Sequence, residues 1–423
     1  MKLNRDLGFY VPAFFMMQVD TDKPIENIIG TADERTFSHE LIHFLQDVST
    51  TYGLINISKC IDVIKSQNQA LRSSSSAVSL PLEGSSLSES VMVNNDLFSI
   101  YVGDDTSEFQ NFPSSVSVIA VKEEDMDVEL IPYVVKYIEI EYGSQQLSET
   151  KSFHFGTMAI CESMASLIED EIYGAESRRK NFPYDSALMI TEYLCPTISS
   201  NTLAIAELCE ASLMYYNPGD LFVNALKKIR DDKIEFSFPN ECYLFVLNNF
   251  TLEGEPANKE YLIASKQAES QLDDLFTVSP LKEEKWASGM VAKARRIRES
   301  NISISSQLWG SDKNKSRGRL LDSINKIGLP IVFNKNFDAS LKASEEKLNT
   351  PLMFPAILSF HEILLGTKKG CYLYEHCSNQ DSGYITNIHC QSEPWARIRQ
   401  EKACYFSNIW KTWGLESVEI TCV

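Results

Sequence analysis

The alternation of hydrophobic and polar residues divides the chain into stretches of different predicted structure. The first 30 residues are typical of strands and include the apolar stretch LGFYVPAFFMMQV at 7–19. The next segment predicts a helix, because Thr31 and Glu34 have the spacing of a capping box and apolar residues recur three and four apart. This apolar stripe consists of Phe37, Leu41, Phe44, Leu45 and Val48. Gly53 stands where such a helix would end.

Beyond this helix the pattern changes several times between helical and strand-like. A second helix is expected over 57–70, and then a mobile serine-rich loop at 71–90, which could be a lid, a cleavage-prone connector or a plain insertion. Residues 91–155 predict a β-rich segment in which YGSQQLSE is a hairpin connection. Further helices are expected over 157–173, 185–194, 201–216 and 220–229, with mostly helical structure to about 327. The predicted fold class is α+β, predominantly α-helical.

Length and composition narrow the class of protein. A chain of 423 residues exceeds one ordinary core, so we expect three units, at 1–175, 176–330 and 331–423. The formal net charge of −19 argues against nucleic acid as a partner. The chain has no run of 18 apolar residues, so no membrane partner is expected, and Pro12 argues against a signal peptide at 7–19. Ten cysteines without a dense pairing pattern before residue 370 predict a reducing compartment, the cytoplasm.

A candidate metal site lies in the first predicted helix, in the segment TFSHELIHFLQD. His39 and His43 are four residues apart, so they project from one face and can bind the same Zn²⁺ ion. Glu40 points beside that face, where it can take a proton from a metal-activated water and deliver it to a departing amine. The uncharged neighbours predict burial, which is costly for these three side chains without a metal. Two satisfied core histidines are the structural alternative.

This pentapeptide, HELIH, on a buried helix resembles that of the HExxH zinc metallopeptidases, the zincins. Gln46 and Ser49 occupy the positions of the glycine and third histidine of the metzincin branch, which excludes that branch. In the other large branch, the gluzincins, a glutamate on a later helix is the third ligand. Glu162, followed by Ala165, resembles the E-x-x-A signature of that glutamate.

The resemblance implies a zincin-like catalytic core with a β-rich insertion and a helical C-terminal region. It implies Zn²⁺ as the cofactor, with His39, His43 and Glu162 as its ligands and Glu40 as the general base. The candidates that compete with Glu162 for the third position are Glu207, Glu210 and His154. Glu210 is followed by an alanine, so it could alternatively orient a histidine ligand. The sequence does not choose an oxyanion donor among Tyr173, His154 and Tyr52.

The C-terminal region is rich in cysteine. Half of the ten cysteines fall in the last 53 residues, namely Cys371, Cys377, Cys390, Cys404 and Cys422, with His376 and His389 each preceding one of them. Their spacing contains no C-x-x-C and matches no zinc motif, so we expect buried free thiols, with a second metal as the alternative. His361, in SFHEILLGT, is expected to be structural because Leu365 stands where a second ligand would be needed.

Taken together, these patterns predict a zinc endopeptidase that acts on a protein or peptide substrate, with a regulatory protein as a further partner. Two alternatives stay open at this point. One is a toxin-type, regulatory or interaction protein whose zinc site is structural or degenerate. The other is a zinc hydrolase of non-peptide bonds. A basic island at 282–326 could dock an acidic partner, but we expect it to pair with the acidic remainder of the chain.

Overall fold

The structure is a computed structural model, and it describes most of the chain. The described residues are 7–24, 27–74, 77–104, 113–128, 131–144, 150–174, 182–275, 285–300, 303–308, 313–340, 349–379, 386–399 and 404–422. Across these residues the fold is mixed α+β with helices predominating, which confirms the predicted class. None of the helices in these ranges is long and apolar enough to cross a lipid bilayer.

Two short strands and two long helices form the N-terminal part. They are β1 (Gly8–Val11), β2 (Met16–Val19), α1 (Glu34–Ser49) and α2 (Thr51–Ser73). The strands pair antiparallel, and β1 lies against α1. Every residue of the predicted apolar stripe of α1 is buried, so this helix is a central element of the core.

Both ends of α1 differ from the prediction. The helix begins at Glu34, and the predicted capping box is absent because the hydroxyl of Thr31 donates to a preceding backbone carbonyl instead. At the other end the chain turns at Thr50, whose hydroxyl accepts the N–H of Gly53 and so caps α2. A Cβ at Gly53 would collide with the backbone of Asp47. Gly53 is therefore required by the close approach of two helices rather than as a helix end.

The serine-rich segment 71–90 is only in part the loop that the sequence predicts. Helix α2 continues to Ser73, strand β3 covers Val78–Leu80, and a single 3₁₀ turn precedes α3, which covers Glu89–Val102. Residues 75 and 76 lie outside the described residues. The prediction of strands from residue 91 was also wrong, because the apolar residues there have helical spacing. Those that pack into the core are Leu97, Phe98, Ile100 and Tyr101.

A three-stranded antiparallel sheet follows. It consists of β4 (Pro113–Val128), β5 (Ile131–Ser144) and β6 (Thr150–Phe155), in the order β4-β5-β6. The predicted alternation is confirmed in β5, where Ile138, Ile140 and Tyr142 are fully buried. The predicted hairpin is confirmed by the pairing of β5 with β6, although residues 145–149 of its connection lie outside the described residues.

Helices then fill the middle of the chain. They are α4 (Thr157–Tyr173), α5 (Ser186–Leu194), α6 (Thr202–Ser212), α7 (Pro218–Asp231) and α8 (Asn240–Asn249). The bounds of α4 match the prediction, and those of α5, α6 and α7 differ from it by four residues or fewer. Helix α4 packs between α1 and α6, so it brings its own side chains to the HELIH face.

The basic island at 282–326 lies within a mostly helical stretch of the chain. The elements there are β7 (Thr251–Leu252), β8 (Glu255–Pro256), α9 (Ala257–Asp274), α10 (Trp286–Arg298), α11 (Ile304–Leu308) and α12 (Lys313–Ile327). Arg295 pairs with Glu269 at 2.6 Å and Lys285 pairs with Asp273 at 3.0 Å. These contacts agree with the expectation that the island pairs with acidic residues of the same chain.

The C-terminal part of the chain, from residue 331 onward, joins its beginning through two sheets. Its elements are β9 (Ile331–Phe333), β10 (Ala339–Ser340), α13 (Asn349–Leu364), α14 (Tyr374–Asn379), α15 (His389–Ser392), α16 (Tyr405–Thr412) and β11 (Ile420–Cys422). Strand β9 runs parallel to β2 in a sheet of order β1-β2-β9-β10, and β11 runs parallel to β3. The division into three units stays a prediction, and these pairings cross it.

Candidate metal centre

Three side chains from α1 and α4 meet at one point. His39 and His43 lie one turn apart on α1, with ring centroids 4.9 Å apart, and Glu162 of α4 faces both. One ligand atom from each of the three residues can be chosen so that all lie within 4.8 Å of one another. The carboxylate Oε2 of Glu162 lies 3.1 Å from Nε2 of His39 and 3.5 Å from Nε2 of His43. The structure therefore brings together the three residues that the sequence predicts as ligands.

The atoms at this point have the character expected of a metal site. Nε2 of His43 and Oε1 of Glu162 are buried and make no hydrogen bond, and the same is true of Oε2 of Glu40. Buried polar atoms in proteins nearly always have a partner, so three such atoms at one place require an explanation. Two imidazole nitrogens and one carboxylate oxygen are the protein ligands of an open, catalytic zinc site. The residues present fit Zn²⁺.

A second layer of residues fixes the orientation of both histidines. Nδ1 of His39 lies 2.7 Å from the carboxylate of Glu169, which also forms an ion pair with Arg35. Nδ1 of His43 lies 2.8 Å from Oε1 of Gln46. Since these partners accept hydrogen bonds, each Nδ1 carries a proton, and Nε2, the ring nitrogen that faces Glu162, is the atom through which each histidine can bind a metal.

This second layer adds residues that the sequence analysis did not identify. Glu169 stands in a run of three acidic residues, a pattern typical of a solvated helix end, but it is buried beside His39. Its spacing of seven from Glu162, two helical turns, is the signal that could have found it. Gln46 served only to exclude the metzincin branch, yet it holds His43 and donates to the carbonyl of Cys161 at 3.0 Å.

The charges at the site are set by burial and by the groups around it. Burial would raise the pKa of Glu162, but the attraction of His43 and the hydrogen bond with His39 outweigh it and lower the pKa to about 2. Burial would lower the pKa of His39, but its contacts with Glu162 and Glu169 raise it well above the usual value. The pKa of Glu40 is raised to about 7, chiefly by burial, against the opposing effect of the two histidines.

Strand β1 holds Glu40 in place from the other side. The N–H of Tyr10 donates a hydrogen bond to the Glu40 carboxylate. Gly8 lies so close that a Cβ there would come within 2.8 Å of Thr36 and 3.4 Å of the Glu40 side chain. Glu40 is therefore fixed between α1 and β1, with one oxygen bonded to the strand and Oε2 without a partner.

The competing third ligands have other roles. Ser303 donates to Glu207 at 2.6 Å, and the carboxylate of Glu210 accepts two backbone N–H groups at the start of α11. Glu210 also forms a buried ion pair with Arg298, so it holds helices together instead of orienting a histidine. His154 lies on β6, where its ring packs 4.6 Å from that of Tyr137.

The two tyrosines among the three oxyanion candidates make other hydrogen bonds. The hydroxyl of Tyr173 contacts Oγ of Ser38 at 2.5 Å and Glu34 at 3.2 Å. Tyr52 is buried and hydrogen-bonds Thr157. A tyrosine that the sequence did not suggest, Tyr184, has its ring centroid 6.0 Å from that of His39.

No protein-family model, curated protein or solved structure matches this chain. The residues and distances of the site are thus the basis for its function. His361 is bound by Gln67 of α2 at 3.0 Å, away from this cluster, in keeping with the structural role predicted for it.

Proposed function

We propose that the protein is a zinc-dependent metallopeptidase of gluzincin-like type, with a zincin-like core that hydrolyses peptide bonds in a protein or peptide. The observation that carries the proposal is the buried group of His39, His43 and Glu162, two of which present atoms without a hydrogen-bond partner. A catalytic glutamate, Glu40, stands directly beside it on α1. A zinc site with a purely structural role would not require that glutamate, which favours an enzyme over an interaction protein.

The chemistry divides between the metal and the chain. Bound by these three residues, Zn²⁺ supplies Lewis acidity, which polarises a carbonyl group and lowers the pKa of water to about 7. Glu40 accepts the proton of the attacking water and later donates it to the departing amine. Burial raises the pKa of Glu40, which makes its carboxylate a stronger proton acceptor than an exposed glutamate. The tie to β1 keeps this carboxylate in a fixed position during both transfers.

A cytoplasmic location is part of the proposal. The nine cysteines whose side chains are described are all free thiols, which supports a reducing compartment. The charge of −19 gives no support for nucleic acid as a partner. A regulatory protein partner stays a prediction, and so does the choice of peptide bonds over other bonds that zinc hydrolases cleave.

The test combines metal analysis with a peptide library digested by the purified chain. The wild type is expected to carry one zinc at this site, which Glu162→Ala loses. Glu40→Gln is expected to keep the zinc and to lower turnover by about 10²–10⁴-fold, because only the proton acceptor is removed. Cleavage products are identified by mass spectrometry.

A matched control for this test is Glu207→Gln. Glu207 is also fully buried, and burial together with Glu210 raises its pKa well above the usual value, so an amide resembles its protonated form. This variant should keep both zinc and activity. Undiminished cleavage by Glu40→Gln would overturn the mechanism, and absence of zinc from the wild type would overturn the whole proposal.

A further inference from the structure

Four cysteines of the C-terminal region surround one small cavity. Cys371 precedes α14, Cys377 lies within it, Cys390 lies in α15, and Cys404 directly precedes α16. They belong to three separate segments in sequence, since Cys371 and Cys377 share one, yet all four line the same space, together with mostly apolar side chains. The N–H of Cys371 donates to the carbonyl of Cys390 at 2.8 Å, which joins two of these segments directly. The fold therefore gathers thiols that are widely spaced along the chain.

Two of the sulfur atoms accept hydrogen bonds of the kind that stabilise thiolates. The N–H of Ser407 donates to the sulfur of Cys404 at 3.4 Å. The sulfur of Cys371 accepts from the N–H of Leu373 and from the hydroxyl of Ser359, the latter at 3.8 Å. Hydrogen bonds from the backbone to cysteine sulfur are a feature of metal–thiolate centres, where they tune the charge on sulfur.

Other roles for these thiols fit less well. All four are free thiols, so they form no disulfide with one another in this structure. Four thiols from three segments that line one cavity are more than simple packing requires.

The nearby histidines do not join this set. Nδ1 of His376 is bonded to the carbonyl of Phe337 at 3.0 Å. His389 is about half exposed and pairs with Glu393 at 3.3 Å. Neither histidine lines the cavity, so the ligands available there are sulfur atoms only.

The separation of the sulfur atoms indicates what could occupy the space. Around a single Zn²⁺, four thiolates at about 2.3 Å form a tetrahedron whose edges are about 3.8 Å. No three of these four described sulfur atoms lie within 4.8 Å of one another. A [4Fe–4S] cluster holds its thiolates further apart, because each binds a different iron. Arg397 is buried, lines the same cavity and acts on Cys377 as a positive charge, which suits an anionic cluster.

We propose that Cys371, Cys377, Cys390 and Cys404 ligate a metal centre as four thiolates, and that this centre is a [4Fe–4S] cluster. Each thiol loses one proton when its sulfur binds iron, so loading of a preformed cluster releases four protons and requires no change of oxidation state. The centre is separate from the His39 site and uses different ligands, so each can be tested without the other.

The experiment measures metal, acid-labile sulfide and visible absorbance of the full chain, purified without oxygen. The wild type should contain about four irons and four sulfides per chain and absorb broadly in the visible range. The double variant Cys377→Ala/Cys390→Ala should lose iron, sulfide and absorbance by at least about tenfold. Cys195→Ala, which removes a buried thiol on another part of the fold, should lose none of them.

Two further measurements keep the result interpretable if the double variant fails to fold. In the wild type, the four thiols should resist alkylation until a chelator strips the iron. The Glu162→Ala variant should lose the zinc of the His39 site while iron and sulfide stay unchanged. Zinc in place of iron, lost in the double variant, would support the four-thiolate site and overturn the cluster. No metal dependent on these cysteines would overturn the proposal.

Discussion

Gln46 is the residue whose contribution to the proposed metal site can be isolated most cleanly. It accepts from Nδ1 of His43 at 2.8 Å and donates to the carbonyl of Cys161 at 3.0 Å, so it links α1 to α4 while fixing the ring. Gln46→Leu keeps the volume and removes both bonds. We expect zinc affinity to fall by about 10–100-fold, because the His43 ring is then no longer held in its binding orientation. Competition with a chelator measures the affinity.

The chain offers a matched control for that experiment. Gln67 is also fully buried and also holds a histidine, His361, at 3.0 Å, but on α2. Gln67→Leu should therefore cost stability without changing zinc affinity. Gln46→Glu should keep most of the affinity, because a carboxylate also accepts from Nδ1. Equal zinc affinity in Gln46→Leu and wild type would show that Gln46 does not orient His43.

Asp47 is a second residue with a measurable signature, in this case in the pH dependence of stability. It is buried on α1, where its carboxylate accepts from the hydroxyl of Tyr10 at 2.9 Å and from the N–H of Ala13 at 2.8 Å. Burial raises its pKa from 3.8 to about 7 despite these bonds. The folded state therefore binds a proton that the unfolded state releases, and stability falls as pH rises from about 4 to about 7.

Asp47→Asn should remove this dependence. From pH 4 to pH 8, the free energy of unfolding of the variant should rise by about 2–4 kcal/mol relative to that of the wild type, as the size of the pKa shift implies. The titratable groups that face Asp47 are Tyr10, Tyr52, Cys60 and Cys161, and burial raises the pKa of each, so they stay neutral in this range. Urea titrations at several pH values provide the measurement, and a constant difference between the two proteins would contradict it.

For single residues, the sequence identified some members of the candidate site and missed others. His39, Glu40 and His43 could be found because they lie within one helical turn, so their spacing is local. Glu162 was found through the E-x-x-A pattern, and the structure places it beside both histidines. Glu169 was missed because it stands in a run of acids, where only the position of His39 in space distinguishes it from a solvated residue.

Among the helices, the junction of α1, α6 and α10 depends on one buried cation. Arg298, the last residue of α10, donates to the carbonyl of Ser49 at 2.8 Å and to the hydroxyl of Tyr243 at 3.0 Å. It also forms a buried ion pair with Glu210 of α6. The Arg298 side chain thus donates to a carbonyl at the C-terminal end of α1, the helix that carries HELIH, and compensates the charge of Glu210 on α6.

Arg298→Ala should destabilise the protein by about 3–5 kcal/mol, because Glu210 keeps a buried charge and the Ser49 carbonyl loses its donor. Urea unfolding measures the change. The surface pair of Lys228 with Asp232 on α7 serves as control, since Lys228→Ala removes an exposed ion pair worth under about 1 kcal/mol. A loss below about 1 kcal/mol for Arg298→Ala would show that the junction does not depend on this contact.

Helices and strands formed by interactions between residues close in sequence were predicted better than those formed by long-range pairing. Helix α4 was predicted with its observed bounds, because its apolar spacing and flanking glycines are local signals. The prediction of a loop over 71–90 missed β3, because these residues form a strand only through pairing with β11, more than 300 residues later in the chain. No pattern within a short window carries that information.

At the scale of the whole molecule, the candidate metal site depends on contacts from beyond the predicted catalytic unit. Strand β2 pairs with β9, the N–H of Tyr52 donates to the carbonyl of Leu213 at 3.0 Å, and α4 packs against α6. A single cluster of buried apolar residues extends from Tyr10 to Leu415. All four ligand and base residues nevertheless fall within residues 1–175.

These contacts predict how a fragment should behave. Residues 1–175 expressed alone should unfold without a cooperative transition and bind zinc at least about tenfold more weakly than the full chain, because the apolar faces of β2 and α4 lose their cover. Circular dichroism on heating and zinc titration measure both properties. Co-expression with residues 176–423 should restore them, since the missing packing surfaces return. Cooperative melting and full zinc affinity of the lone fragment would instead establish 1–175 as an independent catalytic domain.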